Sequence, residues 1–207
     1  MGKRAYLIAG GVVLIVATAF TAARSFTSVP AEPAVAAADP SYDNVRQWYP
    51  RGEAPVLALP GGQTKAIQSV LNIRRPMKYG DFVWDEKGVP EGPLWVRADL
   101  DRQIVSVFRG GNEIGTAVIL YGADSKPTPE GVFPVLEKAA DYHSRTYDAP
   151  MPFTLRLTAD GVAIHGSDVR ERAATHGCIG VPLEFARRLF NQTQVGDEVF
   201  VLKSADT

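Results

Sequence analysis

The run LWVRADLDRQIVSVFRGGNEIGTAVILY, residues 94–121, is made of short pieces rich in Val, Ile, Leu, Phe and Trp, broken where turn residues cluster. Pieces of five to eight residues with this composition read as strands, and the breaks at Asp101-Arg102-Gln103 and Gly110-Gly111-Asn112 read as tight connections. Leu94–Leu100, Ile104–Phe108 and Ile114–Tyr121 therefore predict a three-stranded meander. Towards the C-terminus, Lys126-Pro127-Thr128-Pro129-Glu130-Gly131 predicts a rigid turn that enters a strand over Val132–Leu136. Phe153–Leu157, Gly161–His165 and Asp197–Leu202 predict further strands. One helix is predicted, over Pro182–Asn191, with Pro near its start, Glu184 in its first turn and Phe185, Leu189 and Phe190 on one face. The fold class is thus mainly β, with a domain over residues 94–203 and one main helix.

Ahead of this domain, residues 42–93 carry few periodic elements and read as a preamble that packs on it. Within them Gln63–Leu71 is expected to form a short amphipathic helix, with Ile67, Val70 and Leu71 on one side. Residues 25–41 are rich in Ala, Pro and Ser, the composition of an extended linker. Residues 1–24 open with Lys3 and Arg4 and continue as an apolar run from Ala5 to Ala23. That pattern fits an N-terminal membrane helix or a signal peptide, either of which carries the rest of the chain out of the cytoplasm to a periplasmic or other extracytoplasmic location. Ala17-Thr18-Ala19 and Ala34-Val35-Ala36 both have the small-residue spacing of a cleavage site.

The chain has 207 residues, 45% of them hydrophobic, and after its start is set aside about 165 remain, enough for one core. Without Lys3, Arg4, Arg24 and Glu32, the 22 basic and 23 acidic side chains become 19 and 22. No basic stripe with interleaved aromatics occurs, which argues against nucleic acid as a partner.

Two of the three histidines and the only cysteine fall within 165–178: Ile164-His165-Gly166, then Thr175-His176-Gly177-Cys178-Ile179. A single cysteine in an exported chain has no internal partner for a disulfide, so a reactive thiol or intermolecular pairing is the expectation. A thiol attacks as thiolate, and with a free pKa of about 8.5 it needs a base near neutral pH. Histidine, titrating near 6.5, suits that task. Gly177 beside the nucleophile leaves room for a substrate carbonyl to approach the backbone N–H groups of Gly177 and Cys178. Cys178 is also expected in the turn before the Pro182 helix, where the positive helix end would favour a thiolate.

His165-Gly166 followed by Thr175-His176-Gly177-Cys178-Ile179 resembles the signature of the YkuD-like L,D-transpeptidases, a histidine, a variable loop and then Ser/Thr-His-Gly-Cys. Thr128-Pro129-Glu130-Gly131-Val132-Phe133 resembles that family's Thr-Pro-x-Gly-x-Phe segment, and Met151-Pro152-Phe153 its Met-Pro-aromatic segment. The resemblance implies a β-sandwich or mixed β catalytic domain that acts on peptidoglycan stem peptides without a cofactor. Cys178 would attack the carbonyl between diaminopimelate and D-alanine, and an amine of a second stem would resolve the thioester into a 3-3 crosslink. It also implies that His165 is the general base, oriented by the carbonyl of Gly166, with His176 in support.

Two departures from the family pattern stand out. Gly180 occupies a position where Arg or Asn is common, and the loop over 166–174 is short. Arg170 or Arg172 in that loop is the expected replacement for binding a stem carboxylate. Thr175, Met151 and Phe153 are expected to line the substrate groove, with His143 on a lid or the surface. The same chemistry allows hydrolysis by water, as in carboxypeptidases, endopeptidases or enzymes that detach lipoproteins from the wall. A non-catalytic wall-binding module and a zinc site built from His165, His176, Cys178 and His143 are the other readings.

Overall fold

The computed structural model describes residues 46–203, and the anticipated meander lies at the centre of its larger sheet. The strands in chain order are β1 (Arg46–Trp48), β2 (Val56–Ala58), β3 (Thr64–Ala66), β4 (Ser69–Leu71), β5 (Phe82–Trp84), β6 (Leu94–Asp99), β7 (Ile104–Arg109) and β8 (Asn112–Val118). They continue as β9 (Gly131–Pro134), β10 (Glu137–Ser144), β11 (Ala149–Arg156), β12 (Ala163–Ser167), β13 (Ile179–Pro182) and β14 (Glu198–Leu202), with helix α1 (Leu183–Gln192) before the last. The larger sheet runs β1-β4-β8-β7-β6-β14-β9, and β5 also pairs with β8. A second sheet runs β10-β11-β12-β13, and β2 pairs with β3.

Alternation of side chains explains why the two larger sheets face each other. Val96, Ala98, Val105, Val107, Ile114 and Ala117 from the first sheet share one buried cluster with Leu155, Ile164, Ile179 and Val181 from the second. Helix α1 joins that cluster through Phe185, Ala186 and Leu189, positions spaced to fall on one helical face. The Phe185 ring meets Phe82 at 6.1 Å and Trp84 at 5.4 Å, both edge-on. Glu184 bonds Arg187 and Arg188 along the exposed side of the first turns, and the Thr193 amide closes the helix on the Leu189 carbonyl at 2.9 Å. The opposite face of the large sheet carries Trp95 stacked on Phe108 at 4.1 Å, covered by Leu59 and Ile67.

The expected helix over Gln63–Leu71 is not present. The segment forms β3 and β4, joined to a short 3-10 turn at Pro60–Gly62. Ser69 is fully buried and donates to Asn112 at 2.8 Å, while Val70 and Leu71 pair with Gln47 and Arg46. Residues 46–84 thus do more than pack on the domain, because β1, β4 and β5 extend its sheet. A strand that the sequence reading left out, β10, pairs along its length with β11. The run Ala5–Ala23, the linker over 25–41 and residues 42–45 lie outside the described residues. Among the described residues no helix is long and apolar enough to cross a membrane.

Because Phe185 is fully buried where the helix meets both sheets, Phe185→Ala is expected to lower stability by about 3–5 kcal/mol in urea denaturation. Phe190→Ala, at a partly buried position, is expected to cost less.

Candidate active site

The segment after β8 leaves the large sheet and binds the second. Leu120 exchanges two backbone hydrogen bonds with Gly180, at 2.8 and 2.9 Å, while the Thr175 amide donates to the Tyr121 carbonyl at 2.9 Å and the Ala123 amide to the Thr175 carbonyl at 3.1 Å. Strands β12 and β13 are parallel, with Ile164 opposite Ile179 and His165 opposite Gly180. Cys178 stands in the bend one residue before β13, beside Ala163, and His165 lies two residues, about 7 Å, further along β12 than Ala163. Both side chains line one cavity of about 310 Å³, together with Met151, Thr175 and His176.

The His165 ring is buried, and its Nδ1 lies 3.0 Å from the Gly166 carbonyl. A carbonyl only accepts, so Nδ1 carries the proton and Nε2 is left with its lone pair. Burial lowers the His165 pKa, partly offset by the Gly166 hydrogen bond, and the ring is neutral at rest. The half-buried Cys178 thiol faces the Gly161 carbonyl, with Sγ 3.7 Å from the oxygen. Burial raises its pKa; a backbone hydrogen bond at Ala163 and the charge of Lys126 oppose this, and Asp160 adds to it. A neutral thiol and a neutral imidazole lining one cavity can exchange a proton as the sulfur attacks.

Gly177, ahead of the thiol, has φ +104°, a conformation that side chains rarely adopt. The backbone there passes close to Gly122, where an added Cβ would come within 2.9 Å of the Gly177 Cα. Gly122 in turn donates to Thr128 Oγ1 at 2.8 Å, so the Thr-Pro turn supports the cysteine loop from below. Thr175 closes the loop from within, its hydroxyl donating to the Cys178 carbonyl at 2.5 Å.

A profile of the L,D-transpeptidase catalytic domain matches residues 93–201, just over half of the chain. The chain belongs to the L,D-transpeptidase catalytic domain family. Among solved structures it is similar to an L,D-transpeptidase from Stackebrandtia nassauensis (21% identity, TM-score 0.51, covering 56% of this chain and 58% of that one). It is similar also to one from Mycobacterium tuberculosis (22% identity, TM-score 0.50, 53% and 57%) and one from Mycobacterium smegmatis (25% identity, TM-score 0.49, 53% and 58%). This chain thus spans under two thirds of each of those structures, and at such identities the first two matches speak for the fold alone. No curated protein matches it.

Within the L,D-transpeptidase domain, the other residues singled out in the sequence fall in different places. Met151 lines the cavity and also a small recess beside Gly161 and Ala163. Phe153 does not line the cavity; its ring packs against Phe190 at 5.8 Å. Arg170 borders the cavity but is exposed and paired with Asp168 at 3.2 Å, whereas Arg172 is not among the lining residues. His143, near the end of β10, is exposed and bonded at 2.8 Å to Asp148 on the connection to β11. Among the described residues no three His, Cys, Asp or Glu side chains converge to hold a metal ion. The expected placement of Cys178 at the helix start is corrected: the whole of β13 intervenes, about 13 Å of extended chain, and the helix end is too far to favour a thiolate.

Three residues of the site went unread in the sequence. Tyr147 stacks on His176 at 4.5 Å, with its ring inclined by 18°. Lys126 donates to the Tyr147 hydroxyl at 2.7 Å, and its stem runs beside Gly177. Ser167 stands 3.3 Å from His165 Nδ1 and fills the space in front of Gly180, where an added Cβ would lie 2.7 Å from the Ser167 hydroxyl. Only Tyr147 carried a signal, as an aromatic near the lid histidine. A larger open groove of about 920 Å³ lies between residues 71–79 and the outer face of β7 and β8, and contains neither the thiol nor the histidines.

Because Ser167 occupies the space a side chain at position 180 would take, Gly180→Ala is expected to cost about 1–3 kcal/mol. Ser167→Gly should relieve much of that loss, and a double-mutant cycle by urea denaturation measures the coupling.

Proposed function

We propose that this domain is a peptidoglycan L,D-transpeptidase that works outside the cytoplasm through a Cys178 thioester. What supports the reading is that Cys178, one residue before β13, and His165 on β12 line one cavity, with the imidazole tautomer fixed by the Gly166 carbonyl. Sγ attacks the carbonyl that joins diaminopimelate to the terminal D-alanine, and Nε2 of His165 takes the thiol proton. The backbone N–H groups of Gly177 and Cys178 receive the oxyanion, in a loop that Gly177 bends and Gly122 supports. As the C–N bond breaks, His165 returns the proton to the departing D-alanine amine, leaving a thioester on Cys178. The side-chain amine of a second stem then attacks the thioester and gives a proton to His165. Amide formation expels the thiolate, which recovers that proton. His176 contributes by holding Tyr147 over the cavity.

The purified domain incubated with tetrapeptide muropeptides is expected to give crosslinked dimers and free D-alanine. Tripeptides without dimers would assign the step to hydrolysis, and no product would remove the proposal. Cys178→Ala is expected to abolish the reaction and the mass shift left by a carbapenem. His165→Gln should slow acylation by on the order of 10²–10⁴-fold.

The two pKa directions make the pH response specific. Burial holds the thiol above its ordinary value, so the thiolate fraction at neutral pH is smaller than for a free cysteine and grows as pH rises. Alkylation of Cys178 by iodoacetamide is therefore expected to accelerate through the alkaline range, with its midpoint above that of a cysteine-containing peptide. A midpoint below the peptide's would mean that the resting site holds a thiolate.

A further inference from the structure

We propose that Lys126 is the specificity-determining residue of this site and receives the free carboxylate of the residue that the donor peptide loses. The inference rests on the acyl-transfer reading above and adds what holds the departing end of the substrate. In a donor whose terminal residue leaves, the carboxylate carbon lies three bonds from the carbonyl under attack, within about 4 Å of it. Its partner must then be a cation next to the nucleophile loop.

Lys126 meets this placement: it is exposed and stands outside the cavity lining, but it bonds Tyr147, which belongs to that lining. The Lys126 Cγ lies 3.8 Å from where a Cβ on Gly177 would stand, so the side chain passes beside the residue preceding Cys178. Arg170, which lines the cavity, is paired with Asp168 at 3.2 Å. Position 180 offers no side chain, and Ser167 fills the space one would take.

Lys126 is also held in a way that suits an incoming anion. The ammonium has three N–H donors, and the Tyr147 hydroxyl takes one at 2.7 Å. Two remain for a carboxylate. Tyr147 is fixed by its stack on His176 and by its amide, which donates to Ser144 Oγ at 3.3 Å. The charged and titratable groups facing Lys126 are Tyr147, Cys178 and Asp160, and the last is engaged by the Thr158 hydroxyl at 2.5 Å. An anionic ligand finds one prepared cation here.

The test compares a tetrapeptide stem bearing a free terminal carboxylate with the same peptide as its terminal amide, following release of the terminal residue. The wild-type protein is expected to favour the acid. Lys126→Met should lower kcat/KM for the acid on the order of tenfold or more, mainly through KM, and leave the amide almost unchanged, while Lys126→Arg keeps most of the preference. Equal losses on both peptides, or no loss on the acid, would overturn the assignment while leaving the acyl-transfer reading in place. If the wild-type protein released the terminal residue from neither peptide, the acyl-transfer reading itself would fall and take this assignment with it.

Discussion

The structure turns on a short backbone splice. Residues 120–123, continuing from the large sheet, bond to Thr175 and Gly180 on either side of the cysteine, and so fasten the loop that carries the thiol to the rigid centre of the domain. Each such bond contributes modestly to stability, on the order of 1 kcal/mol. Their larger effect is geometric. Since the loop is held at both ends, Gly177 must turn through its left-handed conformation between them, and Cys178 cannot shift relative to β12 without breaking paired backbone. Catalytic groups held on strands keep their spacing better than groups on free loops.

The electrostatic character of the site follows from that burial. His165 sits low in pKa because its ring is enclosed, and Cys178 sits high for the same reason, so the pair rests without charge in a partly enclosed cavity. In the proposed reaction, charge appears between them only as the sulfur attacks, and the developing oxyanion falls to the backbone amides of Gly177 and Cys178. An ion pair formed in advance would have required the protein to stabilise two charges permanently.

How far the sequence disclosed this arrangement depended on whether a feature was local. The meander over 94–121 and helix α1 are periodic within themselves, and their bounds were legible to within three residues. The Cys/His cluster was legible because its chemistry needs rare residue types close together. Gln63–Leu71 misled, because Ile67, Val70 and Leu71 have helical spacing, while Val70 and Leu71 pair with β1 and Ser69 with β8, each more than twenty residues away in sequence. Strand β10 escaped because it is largely exposed and polar, with no alternation to read. Tyr147, Lys126 and Ser167 escaped for a different reason, since each is joined to the site by a contact that only folding supplies.

The parallel pairing of β12 with β13 separates two properties of the sequence that are usually linked. Parallel neighbours require a crossover, and here residues 168–178 make it over the surface while strand register alone sets His165 against Gly180. The exposed part ahead of Thr175, with charges such as Arg170, can change in length or charge while Thr175 and Gly180 stay bonded to residues 120–123 and hold the segment that carries the sulfur. Length and charge on that surface are thus uncoupled from the spacing of sulfur and imidazole.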